Sequence, residues 1–76
     1  MEITVLSFGQ IADLTGPTLE IRDASDTDTL EALLRQRFPG LGGMSYVVAV
    51  DKKTIRENTP LHSSSVVALL PPFSGG

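Results

Sequence analysis

The sequence predicts an α+β fold, a mixed four- to five-stranded sheet with one main helix. Three observations carry this. Apolar and β-branched runs stand at the two ends, EITVLSF at 2–8 and VVALL at 66–70. Between them lies one stretch of helical periodicity, Leu30, Leu33, Leu34 and Phe38, which stacks on a single face. Every gap between these segments carries turn chemistry, and none is long enough to hide a second domain. At 76 residues, such a chain makes one small domain, residues 1–76 with 71–76 as a projecting tail. It buries only about 60% of the surface its unfolded form exposes, which leaves little room for a deep private active site.

Residues 2–8 read as a strand, with Ile3 and Val5 on one face and Leu6 and Phe8 on the other. Both faces are therefore partly covered, as in a central strand. Gln10–Leu14 is expected to make a short helical turn at best, closed by Thr15-Gly16-Pro17. Thr18–Ile21 then reads as a short strand, paired antiparallel with the first. Asp28-Thr29-Leu30-Glu31 fits a capping box, in which Asp28 accepts from the first turn and Glu31 reaches back. Glu31 and Arg35 make an outward i,i+4 pair. Pro39-Gly40 stops the helix and Gly42-Gly43 extends the loop. Tyr46–Val50 is a third strand, Asp51-Lys52-Lys53 a turn, and Thr54-Ile55 a brief edge strand. The continuous apolar run Val66–Leu70 predicts another central strand.

The charge balance is mildly acidic, −3 with a pI near 4.8. That disfavours nucleic acid, whose recognition calls for a basic face. With no cysteine, disulfides, thiolate metal sites and cysteine nucleophiles are excluded. The segment MEITVLSFGQ has neither a basic start nor a long apolar stretch, so no signal peptide or membrane span is expected, and a cytoplasmic protein is the default.

Most polar clusters read as structure. His62 has nothing around it to complete a triad or a metal set, and Ser63-Ser64-Ser65 before an apolar strand favours a turn. Asp23, Asp26 and Asp28 do not fit a calcium loop, and acidic residues ahead of a helix answer its dipole. Lys52 and Lys53 read as a solvated turn that also blunts a sheet edge.

The last segment, LLPPFSGG, is different. Pro71-Pro72 favours polyproline geometry, lacks amide donors, and so ends sheet pairing while stiffening the exit. The six residues from Pro71 to Gly76 can project the terminus roughly 20 Å from the last strand. Gly75 and Gly76 have no Cβ and can thread a narrow slot. The result is a stalk, an aromatic grip at Phe73, and a slim end bearing one carboxylate. A carboxylate becomes an acyl donor once adenylation supplies a leaving group. In a chain without a thiol, sulfur would then have to be carried on the terminus itself, as a thiocarboxylate on Gly76.

The segments ITVLSFGQIADLTG, DTLEALLRQRFP, YVVAV and above all VVALLPPFSGG resemble the small subunit of molybdopterin synthase. The likeness spans nearly the whole chain, and Pro-Pro, an apolar residue, a hydroxyl residue and Gly-Gly is that family's ending. It implies a ubiquitin-like β-grasp and a sulfur carrier of molybdenum cofactor biosynthesis, with no permanently bound cofactor. An activating enzyme would use ATP to adenylate Gly76, and a sulfur donor protein would convert it to the thiocarboxylate. The tail, Pro71, Pro72, Phe73, Ser74 and Gly75, would insert into the large subunit of a heterotetrameric synthase, a transferase. There Gly76 would give its sulfur to cyclic pyranopterin monophosphate. The chain departs from the family's usual pattern in two loops, at Asp51, where asparagine is usual, and at His62–Ser65. Two other readings share the tail: the thiazole sulfur carrier of thiamine synthesis, which typically lacks the two prolines, and a ubiquitin-like protein modifier. A plain interaction domain is a third.

The isolated chain is expected to have no catalytic activity, since it holds no cofactor motif, metal set or acid–base pair. A tail alone offers limited contact area, so docking needs a body surface as well. Phe8, Leu69 and Leu70 are expected to make that apolar patch at the root of the tail, the alternative being that Phe8 is core.

Overall fold

A computed structural model describes residues 2–72. Along the chain these form β1 (Glu2–Ser7), α1 (Gly9–Thr15), β2 (Thr18–Arg22), α2 (Thr27–Arg37), a 3-10 helix (Pro39–Gly43), β3 (Val47–Val50), β4 (Lys53–Thr54) and β5 (Val66–Leu70). The strands make one sheet in the order β2-β1-β5-β3-β4. Only β1 and β5 run parallel, with Val5 opposite Val67 and Leu6 opposite Ala68. The other pairings are antiparallel. The two apolar strands from opposite ends of the sequence thus lie side by side inside the sheet, covered on one face rather than on both.

One face of the sheet is closed by α2. Ile3, Val5, Ile21, Val48, Val50, Val67 and Leu69 meet Leu30 and Leu34 of the helix in a single core, and Leu33 and Phe38 pack at its margin. The helical stripe read from the sequence therefore faces the sheet. Buried polar groups on the core side are paired: Ser7 Oγ accepts from Thr15 Oγ1 at 2.9 Å.

Three local expectations are corrected. The segment after β1 is a seven-residue helix, Gly9–Thr15, rather than a turn over Gln10–Leu14. Burial of Ile11 and the Thr15 hydroxyl, bonded to β1 through Ser7, hold the extra turn. The cap of α2 is Asp26, not Asp28: its Oδ1 accepts from the Thr29 amide at 2.9 Å. Glu31 does not reach back to the cap; it accepts from the Tyr46 hydroxyl at 2.8 Å and lies 3.5 Å from Arg35 Nη2, half-buried rather than outward.

The reason lies across the sequence. The loop at 58–60 reaches the start of α2 and supplies the acceptors that a capping box would have supplied locally. Thr27 N–H donates to the Thr59 carbonyl and Asp28 N–H to Asn58 Oδ1, both at 2.9 Å. Thr29 N–H donates to Asp26 Oδ1 and Leu30 N–H to the Asp26 carbonyl. The amides of Thr27, Asp28 and Thr29, which the helix itself leaves unpaired, are thereby satisfied, and the Leu30 bond is the first within the helix. Asn58 Nδ2 also donates to Asp26 Oδ2 at 3.2 Å. Bonds from Thr29 and Asn58 hold the Asp26 carboxyl below its ordinary value of 3.8.

Candidate functional site

Among the described residues, no element forms a second layer on the face of the sheet away from α2. Strand alternation sends Ile3, Val5 and Ser7 inward, and Thr4, Leu6 and, one step beyond the strand, Phe8 outward. On β5, Val67 and Leu69 point inward, while Val66, Ala68 and Leu70 point outward. Register then assembles a continuous apolar row: Leu6 opposite Ala68, Ala68 opposite Ala49, Leu70 opposite Val47. Phe8 N–H donates to the Leu69 carbonyl at 3.2 Å, which prolongs the parallel pairing and brings Phe8 alongside Leu70.

Phe8 is 38% exposed, so it is surface and not core. Leu70 is half-buried on the same face. Leu69 is the correction: it is fully buried among the core residues and has no area to offer a partner. The expected patch at the root of the tail thus exists with Phe8 and Leu70. It is larger than expected, because Leu6, Val47, Val66 and Ala68 belong to it. Leu6 was legible, two residues from Phe8 in a strand. The others follow from register between distant strands, which no local pattern announces.

The patch is bordered on the β2 side by polar groups, including Arg22 and Glu2 in an exposed pair at 3.2 Å. The opposite border is the short edge strand β4, where Lys53 and Thr54 are exposed. An apolar sheet face with a charged rim thus stands open beside the root of the tail.

Pro71 and Pro72 leave the sheet directly from Leu70, Pro71 half-buried and Pro72 exposed. Phe73, Ser74, Gly75 and Gly76, the remaining expected tail residues, lie outside the described residues. The other polar clusters take structural roles. His62 N–H donates to Ser65 Oγ at 2.8 Å and Ser65 N–H to the His62 carbonyl at 2.9 Å, closing the serine segment into a turn. Asp51 and Lys52 both have positive φ in the turn between β3 and β4. Among the described residues, no three histidine, aspartate or glutamate side chains are grouped to hold a metal ion. No helix among them is long and apolar enough to cross a membrane.

Comparison with known proteins agrees with this fold. A family model described as the ThiS family matches residues 5–76. A solved chain in the complex of subunits 1 and 2 of molybdopterin-converting factor from Helicobacter pylori 26695 is 34% identical, with all of both chains covered and a TM-score of 0.74. The small archaeal modifier protein 1 of Methanosarcina acetivorans superposes with a TM-score of 0.84 at 22% identity, over 99% of this chain and 96% of that one. Its counterpart from Haloferax volcanii gives 0.76 at 21%, over all of both chains. These last two likenesses speak to the fold, the ubiquitin-like β-grasp. With the family match running from the first central strand through the tail, the chain belongs to the ThiS family of ubiquitin-like sulfur carriers.

Proposed function

We propose that this chain is the sulfur carrier of molybdenum cofactor biosynthesis, the small subunit of a molybdopterin synthase. The observation that supports the reading most is the junction at Leu70. A central strand leaves the sheet through Pro71-Pro72 at the margin of an open apolar face. That junction occurs in a chain 34% identical over its whole length to one from a complex of molybdopterin-converting factor subunits. The pair of prolines favours this pathway over the thiazole carrier of thiamine synthesis.

In this reading the body docks and the tail delivers. An activating enzyme transfers AMP from ATP to the Gly76 carboxylate and releases pyrophosphate. Sulfide-level sulfur delivered by a sulfur donor protein attacks the acyl carbon and displaces AMP, giving the thiocarboxylate. The carrier then docks on the large subunit through Phe8, Leu70 and their neighbours, and Pro71–Gly75 enters the subunit. The thiocarboxylate sulfur bonds to a carbon of cyclic pyranopterin monophosphate in the cytoplasm, and water cleaves the resulting acyl–sulfur bond, leaving sulfur on the pterin and the terminus as a carboxylate. The acid–base groups of that transfer belong to the large subunit. Reconstitution tests the proposal: thiocarboxylated chain with the large subunit should convert the cyclic pterin to molybdopterin, while the same chain alone should not. Failure of the complete mixture, with isopeptide-linked adducts found instead, would favour a protein modifier.

A further inference from the structure

Gly9 begins α1 with φ +60°, and a Cβ placed on it would stand 3.0 Å from Pro71 Cγ. Carbon atoms that close must move apart, so the Pro71 ring rests directly on the Gly9 backbone. The preceding amide, Phe8 N–H, is bonded to the Leu69 carbonyl, which carries the β1–β5 pairing up to this contact. Ile11, Met44 and Ser45 border, with Pro71 and Pro72, a groove of about 320 Å³ beside it. The root of the tail is therefore seated on the fold through Pro71.

We propose that Gly9 is a positioning residue for the C-terminal tail: its missing side chain lets Pro71 seat against α1, and this seat sets the direction in which the chain leaves the sheet. The inference deepens the sulfur-carrier reading and rests on it. With Pro71 seated, five residues separate the seat from the terminus, a span of at most about 18 Å. The reacting centres of the activating enzyme and the large subunit must then lie within that distance of the seated Pro71.

Asparagine adopts positive φ at little cost, so Gly9→Asn adds a side chain against Pro71 without imposing much backbone strain. With the full chain, the activating enzyme, ATP and sulfide, Gly9→Asn should lower kcat of thiocarboxylate formation by about tenfold or more, as a misplaced reacting group does. KM for the carrier should change by less than about threefold, because only the direction of the tail is altered, and the unfolding midpoint should stay near that of the parent. In a Pro71→Ala background the same substitution should cost less than about twofold, since the two sites act through one contact. A nuclear Overhauser contact between the Gly9 α-protons and the Pro71 ring is expected in the parent chain and absent in Gly9→Asn. Equal losses in both backgrounds, an unchanged kcat, or no such contact in the parent would overturn the proposal. A parent chain that accepts no sulfur at all refutes the sulfur-carrier reading instead, and the proton contact still decides whether Gly9 seats Pro71.

Discussion

Asp51 and Val66 are joined twice. The Asp51 amide donates to the Val66 carbonyl and the Val66 amide donates to Asp51 Oδ1, both at 2.9 Å. This pair ties the turn after β3 to the first residue of β5, and so to the strand that carries the tail. Asp51 also sits at φ +49°, where a short polar side chain is tolerated. Asp51→Asn keeps an acceptor and suits that backbone, and should leave stability nearly unchanged. Asp51→Ala should cost about 1–2 kcal/mol through the lost bond and the strained backbone. Denaturant unfolding of the two variants checks this.

The Asp26 cap makes a pH prediction. Its carboxyl titrates below the ordinary 3.8 because the bonds from Thr29 and then Asn58 favour the charged form. A lowered folded value means stability that is complete above the unfolded value and lost as pH falls through the folded one. The stability difference between the parent chain and Asp26→Asn should therefore shrink as pH drops below about 4. A difference that stays constant across that window would show that the charge on Asp26 contributes nothing.

Tyr46 is the chain's single tyrosine, so phenolate absorbance reports it alone. Burial, then the hydrogen bond to Glu31 and its charge, raise its pKa above 10.0. The phenol-dependent stability is present below the unfolded value and disappears as pH rises through the raised folded one. Glu31→Gln should move the titration midpoint back toward 10 while leaving the part due to burial. An unshifted midpoint in the parent chain would contradict the Tyr46–Glu31 contact.

Leu69 and Leu70 are neighbours in sequence with opposite fates, and their variants should separate. Leu69→Ala opens a hole in the core and should cost about 2–5 kcal/mol of stability. Leu70→Ala and Phe8→Ala remove atoms from the open face. Each should weaken association with the large subunit by about tenfold or more while lowering stability far less. Affinity and unfolding midpoint measured on the same three proteins decide it. If Phe8→Ala chiefly unfolds the chain, the apolar face is not the docking surface.

What was legible in the sequence was what local periodicity encodes. Leu30, Leu33, Leu34 and Phe38 mark the helix face, and the unbroken run at 66–70 marks a strand buried near the centre of the sheet. The same run hides its own sidedness. With five apolar residues in succession, nothing in VVALL says that Leu69 faces the core and Leu70 does not; pairing with β1 and β3 decides it. The cap of α2 stands two residues before the position that local spacing favours, for a similar reason. Asp28 has the better local spacing, but Asn58 and Thr59, some thirty positions away, take up the first two amides and leave the third to Asp26. The chemistry expected of Gly76 was legible only as a terminal pattern and as family resemblance, and the described residues lead to it without including it.

The central claim is that sulfur travels on the carboxyl terminus, and intact mass of the protein isolated from its native cells tests it most directly. A population heavier by the exchange of one oxygen for sulfur is expected, located by fragmentation to Gly76. That population should disappear when the activating enzyme is removed. A terminus found only as the free carboxylate, or only joined to lysines of other proteins, would contradict it.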